Sequence, residues 1–115
     1  MAVFKPINKA LEALVGQTLY AEWDFFSDDE HTIVFDLTGY TLEVVITPPG
    51  FDDTATPLTL TDGSGLSLNL PGGVVQLEQD TSAWVTGRGH WYLRATDPSG
   101  LVSFPLRGVL NVGTP

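Results

Sequence analysis

From residue 36 to residue 112 the chain is one apolar/polar alternation after another, broken by Gly and Asp turns. A period of two puts alternate side chains on opposite faces of a strand, so each such run is half-buried. The clearest run is Tyr40, Leu42, Val44 and Ile46 alternating with Thr41, Glu43, Val45 and Thr47. Pro48-Pro49-Gly50 stops it, because proline cannot donate to a ladder. With 115 residues, the pattern predicts one all-β domain, a single antiparallel β-sandwich.

The other strands follow by the same rule. Residues 17–26 read as a first strand with Leu19, Ala21, Trp23 and Phe25 on one face. Ile33, Phe35 and Leu37 suggest a short strand. Leu58 and Leu60 form another, and Asp62-Gly63-Ser64-Gly65 is a hairpin-type turn into Leu66, Leu68 and Leu70. Pro71-Gly72-Gly73 turns the chain into Val75 and Leu77. Asp80 is expected to cap one helical turn over residues 81–86, ended by Gly87. Trp91, Leu93 and Ala95 alternate with His90, Tyr92, Arg94 and Thr96, and Asp97-Pro98-Ser99-Gly100 is a tight turn. Val102, Phe104, Leu106, Leu110 and Val112 are expected on one face of a closing strand, in which Pro105 marks an edge or a bulge. That is roughly seven or eight strands at sandwich spacing. The absence of βαβ alternation argues against a parallel α/β fold.

Residues 6–15 are the one good helix candidate. Pro6 suits the first helical position and Gly16 the end. Ile7, Ala10, Leu11, Leu14 and Val15 would form one apolar face. This divides the chain into residues 1–16, a helix closing the sandwich or an arm docking on a neighbouring subunit, and residues 17–115, the sandwich.

Composition limits the partners. The net charge is −9, with five Lys and Arg against fourteen Asp and Glu. Lys5, Lys9, Arg88, Arg94 and Arg107 are scattered along the sequence, so neither nucleic acid nor an anionic membrane is expected to bind. There is no cysteine, which removes disulfides and thiolate metal sites. No stretch reaches the ~18 apolar residues of a membrane helix, and residues 10–15 are too short for a signal core. A soluble protein made without export is expected.

Chemistry finds little support. His31 and His90 lack metal-motif spacing. Asp24, Asp28, Asp29 and Glu30 are rich in oxygen ligands but do not follow an EF-hand pattern, and a charged turn is the plainer reading. There is no nucleophile elbow and no phosphate loop. Fourteen acids always allow some carboxylate pair, so a glycosidase reading has no specific support. Neither a catalytic residue nor a cofactor or metal site is expected. Trp23, Phe25, Phe35, Trp84, Trp91, Tyr92 and Phe104 are mostly expected in the core. Phe26 and Phe51 are harder to place inside and suggest protein contact. With Ile7, Leu11 and Leu14 of the N-terminal segment, they are the candidate partner-binding residues.

The order of several segments resembles the small immunoglobulin-like β-domains of tailed bacteriophages, of the type found at the N terminus of baseplate upper proteins. Asp36-Leu37-Thr38-Gly39-Tyr40 leading into Thr41-Leu42-Glu43-Val44-Val45-Ile46 resembles that family's loop into a strand. Leu58-Thr59-Leu60 with Gly65-Leu66-Ser67-Leu68 resembles its central hairpin, and Asp80-Thr81-Ser82-Ala83-Trp84 the following turn. Trp91 to Gly100 and Arg107 to Val112 resemble the last two strands. The resemblance spans residues 17–112. It implies an immunoglobulin-like sandwich and a virion protein made in the host cytoplasm. Its partners would be other phage structural proteins and further copies of itself. Many relatives continue into a fibre or receptor-binding region, whereas this chain stops at Pro115, so an adaptor, connector or decoration role is expected. A carbohydrate-binding or host-attachment module, stacking glycan on Phe51 or Tyr92, is the alternative.

Overall fold

The computed structural model describes residues 7–26, 35–49, 57–82 and 84–114. Nine strands carry the fold: β1 (Ile7–Asn8), β2 (Leu11–Leu14), β3 (Leu19–Asp24), β4 (Thr41–Thr47), β5 (Leu58–Asp62), β6 (Gly65–Asn69), β7 (Val74–Gln79), β8 (Gly87–Thr96) and β9 (Val102–Gly113). They join in the order β1-β9-β8-β4-β5-β6-β7-β3, and β2 continues β1 along β9. The sheet is mixed and nearly closed into a barrel. It folds over at β5–β6, where two residue pairs link the strands, so that β3 and β7 face β4 and β8 across the core.

Alternation places the core as expected on most strands. Leu42, Val44 and Ile46 of β4, Val75 and Leu77 of β7, and Trp91, Leu93 and Ala95 of β8 are all buried. Leu19 and Trp23 bring β3 to the same cluster. At its centre the rings of Trp23 and Trp91 stack, with centroids 5.1 Å apart and planes 10° from parallel. An offset stack of two indoles is both a large apolar burial and a specific geometry. It ties one wall of the barrel to the other.

Three expectations are corrected. The first is the helix over residues 6–15. Among the described residues there is no helix, and residues 7–14 run as β1 and β2 parallel to β9, with Ile7 opposite Leu106 and Leu11 opposite Leu110. Leu11 and Ala13 point into the core while Glu12 and Leu14 point out. Leu-Glu-Ala-Leu satisfies a period of two as well as one of 3.6, and the unpaired edge of β9 decides between them. The sheet is therefore mixed, where an antiparallel one is expected from sequence, and β5 and β6, expected as a hairpin, also pair in parallel through Thr61–Gly65 and Asp62–Leu66.

The second correction concerns β9. Leu106, Leu110 and Val112 are buried, but Val102 and Phe104 are 40% and 44% exposed. The register with β8 shifts between Leu93 and Ala95: Leu93 pairs with Leu106, yet Ala95 pairs with Ser103. One residue of β8 is thus spanned by two of β9, Phe104 and Pro105, which is a bulge. The extra residue flips the parity and turns Phe104 and Val102 outward. Pro105, which has no N–H to offer the ladder, sits within it.

The third is the helical turn after Asp80. Asp80 does accept as a cap, its Oδ1 from the Ser82 amide at 2.9 Å and from the Ser82 hydroxyl, and the Trp84 amide donates to the Thr81 carbonyl at 2.9 Å, but no helix follows among the described residues. This tight turn places Thr81, fully buried, under the β2–β3 connection. Its Oγ1 accepts from the Gly16 amide at 3.0 Å and lies 2.6 Å from the Gln17 carbonyl and 3.0 Å from that of Leu14. One hydroxyl has a single proton, so the shorter contact to Gln17 takes it.

The N-terminal edge has its own lock. Between β1 and β2 the Lys9 carbonyl turns inward and accepts from Trp91 Nε1 at 2.9 Å. The Lys9 amide donates to the Arg107 carbonyl at 2.7 Å. Gly108 lies beneath, and a Cβ there would overlap the Lys9 carbonyl oxygen. The close approach therefore requires glycine.

Candidate functional site

The outward residues of the strands form two broad faces. Face one is made by β9, β8, β4 and β5. On β8, Arg88, His90, Tyr92 and Arg94 all point out. Cross-strand register sets Tyr92 between Val45 of β4 and Arg107 of β9, and His90 between Thr47 and Val109. Arg94 reaches Glu43 at 3.2 Å. The bulge delivers Phe104 beside Tyr92, edge to face at a centroid distance of 5.5 Å and an angle of 80°. Leu101 and Val102 extend this apolar patch toward the β8–β9 turn, and both are exposed.

All three arginines of the chain stand on face one. They are scattered in sequence but share one face. The shared face has a sequence signal: Arg88, His90, Tyr92 and Arg94 share parity on one strand.

Face two is made by β3, β7 and β6. Register arranges it in three rows: Tyr20 with Glu78, Glu22 with Gln76 and Ser67, and Asp24 with Val74 and Asn69. The Tyr20 hydroxyl donates to Glu22 Oε2 at 3.1 Å, and Gln76 Nε2 donates to the same oxygen at 3.4 Å. The bond to Glu22, then burial and the charges of Glu22 and Glu78, hold the Tyr20 phenol above its usual pKa. Two shallow adjoining depressions lie here, both lined by Ser67 and Gln76. The described part of this face has three carboxylates, Glu22, Asp24 and Glu78, and no cation.

The residues expected at a partner site are divided by the fold. Leu11 is buried in the core, and Leu14 is 38% exposed at the end of β2. Ile7 is placed by its backbone beside Leu106. Phe26 is half-buried after β3. Phe51 lies outside the described residues, as do His31 and the acidic turn of residues 28–30. Of those whose side chains are described, Leu11 faces the core and Leu14 faces out, so these two do not share a surface. Phe104, expected in the core, instead completes the exposed aromatic pair. Pro105 was the sequence signal for it, since a bulge there reverses the parity of everything before it.

The remaining carboxylates with displaced titration serve turns. Burial pushes the Asp97 carboxyl up, but hydrogen bonds from the Ser99 hydroxyl and from the Leu101, Ser99 and Gly100 amides outweigh it and leave the pKa lowered. Its Oδ2 is buried with no hydrogen-bond partner among the described residues, so the carboxylate holds the β8–β9 turn through Oδ1. Asp36, bonded to Thr38, and Asp80, bonded to Ser82, are lowered for the same kind of reason. Among the described residues no three His, Cys, Asp or Glu side chains gather as a metal site would need.

No protein-family model matches the chain, and no curated protein sequence matches it.

Proposed function

We propose that the chain is a non-enzymatic structural subunit of a tailed-phage particle, an adaptor, connector or decoration protein that works through protein–protein contact. The observation that carries this is the Tyr92–Phe104 pair exposed on a sheet face that also bears Arg88, Arg94 and Arg107. Aromatic and arginine side chains at the centre of a patch are what protein interfaces select for. The partners are other virion proteins and further copies of this chain, and the location is the tail, baseplate or fibre region.

An immunoglobulin-like architecture is part of the proposal. In its favour, β3, β7 and β6 follow one another as B, E and D do in one immunoglobulin sheet, and β9, β8, β4 and β5 as G, F, C and C′ do in the other. The Trp23–Trp91 stack joins β3 to β8, the strands whose equivalents carry the inter-sheet disulfide of antibody domains. An indole pair at that position suits a chain without cysteine.

The test is quantitative mass spectrometry of purified particles from the source that encodes the chain. A fixed multi-copy presence supports the proposal, and absence from mature particles overturns it. The second reading, a carbohydrate-binding or host-attachment module, draws on the exposure of Tyr92. It requires a glycan-array signal that disappears in Tyr92→Ala.

A further inference from the structure

We propose that copies of this chain stack head to tail, face one of each copy seated on face two of the next. This rests on the reading of the chain as an assembly subunit and names the surfaces that the assembly uses.

The first support is charge complementarity within a single chain. A protein of net charge −9 should repel itself, yet its three arginines all stand on face one, beside Glu43 and with Glu12 at the β2 edge, whereas the described part of face two carries acids alone. Arg88, Arg94 and Arg107 stand on face one, while Glu22, Asp24 and Glu78 stand on face two. One arginine is already matched, Arg94 by Glu43. For Arg88 and Arg107 no ion pair is formed among the described residues, so they remain for a partner. Face two has acids in excess, with only neutral donors bonded to Glu22. Arginine and carboxylate pair in a geometry that fixes register as well as energy.

The second support is shape. Face one bears an exposed aromatic pair, Tyr92 and Phe104. Face two bears two adjoining shallow depressions beside the exposed Tyr20 ring. Glu78 lines one depression and Glu22 the other, with Ser67 and Gln76 in both, so rings seated there lie among the carboxylates that the arginines of the next copy would meet.

The two surfaces are different patches on opposite walls of the barrel. A contact between them is therefore heterologous: each copy keeps one free face of each kind, and the array closes into a ring or extends as a stack. Each face is only three or four strands wide. At ~4.8 Å per strand such a footprint is small, so a single contact is weak and gains its effect through repetition. Salt enters in a definite way. At 0.15 M the screening length is ~8 Å, well short of the 25 Å short dimension of the molecule, so net repulsion between copies is largely screened while pairs in contact are not.

The experiment is sedimentation of the full chain at 0.15 M salt, up to ~1 mM, a range that reaches weak contacts. It is repeated with Arg88→Gln/Arg107→Gln on face one and Glu22→Gln/Glu78→Gln on face two. Circular dichroism confirms that each variant keeps the native spectrum. The expected result is concentration-dependent growth beyond dimer for the native chain. Each variant alone should lose about tenfold or more in association, as loss of central charged contacts does. An equimolar mixture of the two variants should give a one-to-one heterodimer and stop, because each supplies the intact face that the other lacks.

A native chain that stays monomeric at ~1 mM, where even weak contacts populate, overturns the proposal. So does a closed dimer that survives the face-two substitutions, since that contact would be face one against itself. If a variant loses the native spectrum, the single substitutions Arg107→Gln and Glu78→Gln are mixed in the same way, and failure to form the heterodimer is again decisive. A chain that is present in particles yet monomeric alone loses this contact and keeps the proposed function. A chain that stacks but is absent from particles does the reverse.

Discussion

At the scale of residues, the N-terminal edge depends on Trp91 and Gly108. Trp91 stacks on Trp23 with its ring and holds the Lys9 carbonyl with its N–H. Gly108 leaves the space which that carbonyl occupies. The two functions of Trp91 can be separated. Trp91→Phe keeps an aromatic ring but removes the donor, and should cost about 1 to 3 kcal/mol for the orphaned carbonyl together with a smaller loss of ring area. Gly108→Ala keeps the donor but forces Lys9 away, and should cost about 2 to 4 kcal/mol, since backbone cannot yield as a flexible side chain can. Urea unfolding gives both values. Amide exchange assigns the cause: in Gly108→Ala, protection should fall first at residues 11–14. Equal loss of protection across β4 and β8 would mean that the defect is in the core, contrary to this account.

At the scale of elements, what was legible in the sequence follows from where one periodicity acts alone. Strands β4, β7 and β8 alternate without ambiguity, and their buried residues were readable as Leu42, Val44, Ile46, Val75, Leu77, Trp91 and Leu93. Residues 7–14 fit two periods at once, and only the open edge of β9, which no local pattern reveals, selects the strand. The face of β9 was misread beyond Pro105 because a bulge counts two residues as one. The aromatic–arginine surface was hidden for the same reason, as Phe104 was assigned inward. Strand identity for β1 and β2 has a consequence for truncation. An arm that serves only a neighbour could be removed without effect on the isolated domain. Here Leu11 and Ala13 are core residues, and β2 covers the edge of β9. Deleting residues 1–14 should cost several kcal/mol, on the order of 3 to 5 for the lost leucine, alanine and ladder bonds. It should also uncover an edge that invites aggregation. Thermal unfolding with light scattering measures both, and an unchanged melting temperature would show that the segment contributes nothing to its own domain.

For the whole molecule, charge and fold respond to acid at different pH. The amino-acid composition sets the isoelectric point near 4.2, so the net charge that keeps copies apart at low ionic strength vanishes there. The turn carboxylates titrate lower. Asp36, Asp80 and Asp97 all have folded-state pKa values below the ordinary 3.8, because hydrogen bonds favour their charged forms. A lowered folded pKa contributes stability that is complete above the unfolded value and is lost as pH falls through the folded one. The loss therefore begins below about 3.8, after self-repulsion has already gone. A titration from pH 7 downward should show light scattering rise near 4.2 while the near-ultraviolet dichroism of the stacked indoles stays native. That dichroism should fade only at lower pH. If Asp97→Asn is compared, its stability should vary less with pH below 3.8, since one of the titrating turn groups is gone. Should the indole signal disappear before scattering begins, the turns are not held by these carboxylates and the ordering of charge loss before unfolding is wrong. The separation of the two events matters for an assembly subunit. The fold stays intact while surface charge is lost, so what scatters near the isoelectric point is the folded molecule without its repulsion, a different association from one held by arginine–carboxylate pairs.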